Sequence, residues 1–362
     1  MPDRLDYENP IVLHVLAYDV SRGAEKYARS LVDALNHRSG RHLVVTLFSG
    51  EDGGLDPDIS LDVPLGPLRR AGVDPRVVSR LRKAIDSSRA DVLVAHGGEP
   101  AKYLALAARR TPYIYLVIGS AHPLLRNPVR RALRRLYVRR AAAIVAVSAL
   151  LAEDVASVVT QGPGKVAVFP NGRDPSVYAP GSSARRAKPT LLFVGRLEGQ
   201  KRPDWFVDVV RAVRARGADV AARMAGGGEL LEALRPIAAQ AGVEMLGPRD
   251  DVPALMADAD LLVLTSRPPE GMPGVLIEAG MAGLAVVTTD VPGAREVVRD
   301  GETGMIVPVD DKEGLAEAVL SLLADAGRLD RMGQAAREHC IREFSLEASV
   351  DAWEELIAGL AS

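Results

Sequence analysis

The chain is nearly devoid of cysteine. Cys340 is the single one in 362 residues, so no disulfide can form within the chain, which fits a reducing compartment, most simply the cytoplasm. No Cys/His cluster has the spacing of a zinc site. Aromatic residues make up only 4%, which leaves no stacking platform for nucleic acid. No apolar run reaches the roughly 18 residues of a membrane-spanning helix. The longest, Ala141 to Ala152, reads as a strand running into a helix. The opening MPDRLDYENP has neither the basic start nor the apolar centre of a secretory signal. The first strand leads into YDVSRGAE rather than G-x-G-x-x-G, so the dinucleotide fingerprint is missing.

What is present is an ordinary globular balance, 48% hydrophobic and 25% charged, long enough for two domains. The net charge of −2 hides an asymmetry. Residues 1–171 carry 24 Lys and Arg against 17 Asp and Glu, or +7, whereas 172–362 carry 21 against 30, or −9. A basic half joined to an acidic half suits different partners for each.

Apolar strands alternate with helical segments twice over. The first series is 11–18, 42–48, 91–96, 113–119 and 142–148. A stretch rich in Pro, Gly and Ser follows, and the series restarts at 190–195, 218–228, 243–246, 259–266 and 284–290. Near-continuous apolar strands suit parallel sheets covered on both faces. The expected fold is α/β: two doubly wound Rossmann-like domains, 1–170 and 189–343, a linker over 171–188, and a C-terminal helix over 344–362 packing back toward the first domain. Ligands in such sheets bind at the carboxyl ends of the strands, so the default site is the cleft between the domains.

The chemistry-bearing residues gather at those strand ends. In EGMPGVLIEAG, Glu270 falls in the loop after a strand, and Pro273 and Gly274 open a helix that carries Glu278 about one turn in. A helix N-terminus offers free N–H groups and about half a positive charge, a seat for phosphate. A carboxylate at each side can accept hydrogen bonds from a vicinal diol. In FVGRLEGQKRP, Arg196 and Lys201 follow a strand, as cations that could hold a diphosphate and stabilise charge on a leaving group. AGGGELLEAL brings a Gly-rich turn where backbone can approach a ligand, and VFPNGRD places Asn171 at the domain junction. Each motif alone could equally be a tight turn or a solvated surface charge.

The ordered set, PNG, VGR…K, a Gly-rich turn and E-x7-E, resembles the retaining glycosyltransferases of family four, which have the GT-B fold. The resemblance runs over essentially the whole chain and is strongest after residue 165. It implies that Glu270 hydrogen-bonds the donor sugar, Glu278 the nucleotide ribose, and Arg196 and Lys201 the diphosphate. It places Gly23, Asn171, Gly195, Gly226, Gly227, Arg249, Gly271, Met272, Pro273, Gly274 and Val275 around a nucleotide-diphosphate sugar. It implies transfer with retention to an acceptor hydroxyl, with no metal and no other cofactor. The sequence agrees on metal, since the Asp-x-Asp triplets at 56–58 and 258–260 lie outside a strand end.

The first half departs from that family. VSRGAEKYA has Arg22 where a glycine is usual, although Gly23 remains. Ile118 stands before Gly119 where the family commonly has a histidine. His122, four residues on, is the candidate replacement in catalysis. Arg22, His96 and Gly119 are read as the acceptor side. RNPVRRALRRLYVRR (126–140) holds seven arginines, with Val129, Leu133, Leu136 and Tyr137 at helical spacing and Arg130, Arg131, Arg134 and Arg135 flanking them. Such a helix fits an anionic membrane surface at the inner face, or a stripe packed on the sheet with solvated arginines. A nucleotide-sugar epimerase or hydrolase, and a non-catalytic sugar-nucleotide binder, stand as alternatives to transfer. The base, the sugar and the acceptor leave no trace in the sequence.

Overall fold

The computed structural model describes residues 10–20, 23–66, 72–119, 128–156, 166–181, 188–268 and 270–361. These form two compact units, one of residues 1–172 with 346–362 and one of residues 173–345.

In the first unit, β1 (Ile11–Val20), α1 (Gly23–Arg38), β2 (Arg41–Gly53) and β3 (Ile59–Ser60) precede α2 (Pro75–Ser88) and β4 (Val92–His96). Then come α3 (Gly98–Ala107), β5 (Tyr113–Val117), α4 (Pro128–Arg140), β6 (Ala143–Ala146), α5 (Ala149–Ala156) and β7 (Ala167–Val168). The strands form one parallel sheet in the order β3-β2-β1-β4-β5-β6-β7. The central strands β4 and β5 are wholly buried on both faces, as near-continuous apolar runs require, while the edge strands β3 and β7 are partly exposed. Start signals are local: Asp74 accepts from the Arg76 N–H, and Pro75 supplies a preset φ at the first helical position of α2.

In the second unit, β8 (Thr190–Val194), α6 (Pro203–Ala215), β9 (Ala221–Ala225), α7 (Leu231–Ala241), β10 (Glu244–Gly247) and α8 (Val252–Ala257) lead to β11 (Leu261–Leu264). There follow α9 (Gly274–Met281), β12 (Ala285–Thr289), α10 (Ala294–Val297), β13 (Gly304–Val307), α11 (Lys312–Ala324) and α12 (Ala326–Phe344). The parallel order is β10-β9-β8-β11-β12-β13. Each sheet thus reverses direction once, between β1 and β4 and between β8 and β11. Those reversals are where open α/β sheets leave a crevice for ligand.

The structure differs from the sequence expectation in its small elements. β3, β7 and β13 are two to four residues long, too short for an apolar run to mark them. Residues 173–181 belong to the second unit, with a 3-10 turn at Pro175–Val177. The last helix, α13 (Leu346–Ala361), groups with the first unit. Its Trp353 is fully buried and donates to the Tyr27 hydroxyl at 3.3 Å, which meets Ser349 Oγ at 3.0 Å. A buried indole N–H needs such a partner. Ser39 Oγ adds a 2.6 Å bond to Glu354 on the same helix.

One expectation about α4 is overturned. Arg134 does not flank the apolar stripe. It is 1% exposed, with Asp154 at 3.4 Å, while Leu136, placed on the stripe, is 38% exposed. Tyr137 is buried as its place on the stripe implies, and Val138, off the stripe, is buried beside it. Helical spacing finds a stripe but not which edge of it meets the sheet. Arg131, Arg135, Arg139 and Arg140 face outward. The side chains of Val129 and Arg130 lie outside those described.

Candidate active site

The site in the second unit is built at the ends of β8 and β11, on the two sides of the sheet's reversal. After β8, Gly195 donates to the Ala225 carbonyl at 3.0 Å and Leu197 to the Gly227 carbonyl at 2.8 Å. Gly226 donates in turn to the Gly247 carbonyl at 2.8 Å. The loops after three neighbouring strands are therefore laced by backbone. Gly226 has φ +146°, and a Cβ there would lie 1.8 Å from the Gly195 carbonyl oxygen. Only glycine fits that approach. Gly228, in the same Gly-rich turn but not among the expected site residues, is held the same way at φ +149° against the Leu197 carbonyl.

The loop after β11 fixes the turn at 200–202. Thr265 Oγ1 shares its one proton between the carbonyls of Lys201 and Arg202 at 2.9 and 2.8 Å, and the Arg267 N–H donates to the Gln200 carbonyl at 2.9 Å. Lys201 is thereby aimed at Glu270. Its Nζ lies 2.7 Å from both carboxylate oxygens, with the two side chains 14% and 11% exposed. The Oγ of fully buried Ser266, between Thr265 and Arg267, has no hydrogen-bond partner among the described residues.

Helix α9 starts at Pro273, which supplies no side-chain cap, and its first turn holds no acidic residue. The first N–H groups of Gly274 and Val275 are orphan donors of the kind that receive phosphate. Met272 is buried just before them. Gly293 shapes this loop from outside the motif: at φ +81°, its Cβ would lie 2.6 Å from the Gly271 carbonyl. The other face of α9 is sealed in the unit, where Gly280 leaves room for the Cys340 thiol.

Glu278 is one turn further on, and Arg173 Nε donates to its Oε1 at 2.9 Å. Arg173 also passes Gly274, where a Cβ would lie 2.5 Å from its Nη2. Sequence reading missed Arg173, although it directly follows the PNG triplet. Tyr178 lies beside this pair. Burial, and then the Glu278 charge, hold its phenol protonated above the usual range. Each glutamate of the E-x7-E motif is thus matched to a cation, and the two pairs bracket the α9 N-terminus. Such a pair can exchange partners, the cation turning to phosphate and the carboxylate to hydroxyl.

Of the other expected residues, some line the rim of this site and others lie in the first unit. Arg196 is at the exposed edge, 2.6 Å from Glu198. Arg249 is paired with Asp251 at 2.5 Å on the surface. Gly227 packs on Pro248. In the first unit, Gly23 and Gly119 stand in open space at ordinary φ. The Asn171 side-chain oxygen is buried without a hydrogen-bond partner among the described residues. Arg22 and His122 lie outside the described residues. Ile118, at the family's histidine position, packs against Gly97. Among the described residues no group of three or more His, Cys, Asp or Glu could hold a metal ion.

His96 ends β4 in an array the sequence reading did not foresee. His14 Nδ1 lies 3.0 Å from His96 Nε2, and His14 Nε2 lies 3.1 Å from His42 Nδ1. Burial holds His42 at about 4 and His96 at about 3. Burial, reinforced by the two neighbouring rings, holds His14 well below the usual range. Unfolded histidine titrates near about 6.5. Stability is therefore whole above that pH and falls as protons bind the unfolded chain, until the folded rings titrate in turn. Between about 6.5 and about 4 the expected loss is roughly 1.4 kcal/mol per histidine per pH unit. Thermal unfolding of the first unit should show a Tm that drops steeply in this window. A Tm that stays flat there would contradict neutral burial.

Residues 21–177 match the family model described as Glycosyltransferase Family 4, and residues 188–325 match Glycosyl transferases group 1. The chain is 30% identical over 341 residues to an alpha-maltose-1-phosphate synthase of Mycobacterium tuberculosis, covering 79% of this chain and 87% of that one. It is 31% identical over 212 residues to a GDP-mannose-dependent alpha-(1-6)-phosphatidylinositol monomannoside mannosyltransferase of Mycolicibacterium smegmatis, covering 53% of this chain and 56% of that one. Another curated relative is matched over only 21% of its length. The crystal structure of HepE from Anabaena in complex with UDP-glucose superposes with a TM-score of 0.82 at 20% identity, over 97% of this chain and 100% of that one. That likeness shows the fold, the two doubly wound α/β units of the GT-B architecture.

Proposed function

The chain belongs to glycosyltransferase family 4, and from that premise we propose that it transfers a sugar from a nucleotide-diphosphate donor to an acceptor hydroxyl, with retention at the anomeric carbon. The observation that carries this reading is the pair of carboxylate–cation contacts, Glu270–Lys201 and Glu278–Arg173, on either side of the α9 N-terminus. Donor binding replaces them. Lys201, with Arg196 and the N–H groups of Gly274 and Val275, takes the diphosphate. Glu270 accepts from hydroxyls of the sugar and Glu278 from the ribose.

The residues then act on charge rather than by covalent attack. The bond from the anomeric carbon to the diphosphate oxygen breaks, and the acceptor oxygen bonds to that carbon on the same face. The acceptor proton passes to a phosphate oxygen of the leaving diphosphate. Lys201 and the helix N-terminus stabilise the charge that develops there, which is why no metal is required in this reading.

A thermal-shift screen against UDP, GDP, ADP, TDP and their sugar conjugates tests it. One nucleotide should raise Tm strongly, equally with and without EDTA. No shift with any of them would sink the donor site, and a shift abolished by EDTA would sink the metal-free mechanism.

The first unit carries the acceptor side in this reading, at the inner face of a membrane. Arg131, Arg135, Arg139 and Arg140 point outward from α4 beside exposed Leu136. Each basic residue near an anionic surface contributes about 1 kcal/mol. Replacing all four by glutamine should therefore cut sedimentation with phosphatidylglycerol vesicles by at least about a hundredfold in binding constant, leaving nucleotide binding intact. Wild-type protein that ignores such vesicles at low salt would remove the membrane from the proposal.

A further inference from the structure

The three histidines lie on one face of the first sheet, on three adjacent strands. His42 is in register with Val12, His14 with Val94, and His96 stands two residues beyond Val94. Steps of two keep side chains on the same face. The array therefore climbs from the start of β2 to the last residue of β4, at the sheet's reversal.

Its proton positions follow from its first acceptor. The Ser39 carbonyl, 3.0 Å from His42 Nε2, can only accept, so Nε2 carries the proton. A neutral ring has one N–H, which makes His42 Nδ1 an acceptor. His14 Nε2 must then donate to it, and His14 Nδ1 must accept from His96 Nε2. One lone pair is left at the end of the chain, on His96 Nδ1. Among the described residues it meets no hydrogen-bond partner.

We propose that His14 and His42 are positioning residues that lock His96 as its Nε2–H tautomer, so that its Nδ1 accepts a hydrogen bond from a hydroxyl of the acceptor substrate. The identity of that hydroxyl as the transferase acceptor's rests on the function proposed above; the lock does not. A single histidine at a strand end can hold its proton on either nitrogen. Two buried rings anchored to a carbonyl remove that choice before a ligand arrives, which lowers the ordering cost of binding. Burial keeps all three rings neutral, so the array directs a hydrogen bond and does not store a proton. Among the described residues, the charged group beyond the array whose field acts on it is Glu354, at His42. Ile118, packed on Gly97 beside His96, adds an apolar side chain at the position where a second histidine would otherwise stand.

The test uses the full chain with nitrogen-15-labelled histidine, read by nitrogen–proton correlations of the imidazoles at neutral pH. Wild type should show the Nε2–H tautomer at all three rings. Glycerol serves as the hydroxyl probe. It should move the His96 Nδ1 signal saturably, while the nitrogens of His14 and His42 stay in place as internal references. In His14→Leu, His96 should become a mixture of tautomers, and its response to glycerol should shrink in proportion to the Nδ1–H fraction. His14→Gln, which keeps one donor and one acceptor, should restore both. An Nδ1–H proton on His96 in wild type, or an Nδ1 signal indifferent to glycerol, would overturn the proposal, and neither readout depends on whether His14→Leu folds. If the lock holds but no nucleotide binds, the hydroxyl site stands and the transferase reading falls. If nucleotides bind and the lock fails, the reverse is true.

Discussion

Glu270→Gln is expected to lower turnover about 10²- to 10³-fold, the scale on which a transition-state hydrogen bond is lost. The reason lies in the contact with Lys201. Both carboxylate oxygens lie 2.7 Å from Nζ, so the group has two equivalent acceptors to turn toward a sugar diol. An amide keeps the shape but has one acceptor, and its NH₂ is repelled by the ammonium. The loss should fall on kcat. Nucleotide affinity should change by less than about fivefold, because removing a carboxylate also relieves repulsion of the diphosphate. Stability should fall by no more than about 2 kcal/mol, since the pair is partly solvated and the amide still accepts one hydrogen bond. Lys201→Ala should show the opposite split, losing nucleotide affinity first. Steady-state kinetics with a thermal-shift measurement of each variant separates the two. A Glu270→Gln protein with wild-type turnover would remove Glu270 from the reaction.

The second large effect is expected at a glycine. Gly226→Ala should destabilise the second unit by on the order of 3 to 5 kcal/mol, from backbone strain at φ +146° and a methyl driven to 1.8 Å from the Gly195 carbonyl. Neither neighbour can give, since both atoms are backbone and both loops are tied to the sheet by Gly195–Ala225 and Gly226–Gly247 bonds. The melting transition of that unit should fall by about 10 °C, and nucleotide binding should fail with it. Gly217→Ala is the control. Gly217 has φ +90° with nothing within 4 Å, so it carries the strain without the collision and should cost about 1 kcal/mol. If both variants melt alike, close approach of the two loops is not what requires Gly226.

The strands of both units were legible because burial on both faces leaves a near-continuous apolar run, and β1, β4, β5, β8, β11 and β12 all show one. Glu270, Glu278 and Lys201 were legible because a strand end followed by a helix start leaves a local signature. Arg173, Gly293 and the His14–His42 pair were not. Arg173 meets Glu278 across 105 positions, and His14 meets His96 across 82. A histidine inside IVLHVLAY signals only that a buried polar group must find a partner. It does not say which.

By itself the sequence determined the fold class, the division into two α/β units and the residue types that gather at the second unit's strand ends. Periodicity, glycine at turns and proline at helix starts act within a few residues and can be read there. Tertiary structure alone decided which cation holds which glutamate, which side of α4 is buried, and which nitrogen of His96 is left to accept. Each of those depends on residues far apart in sequence being brought together, and a contact across a hundred residues exists only once the chain has closed the loop between them.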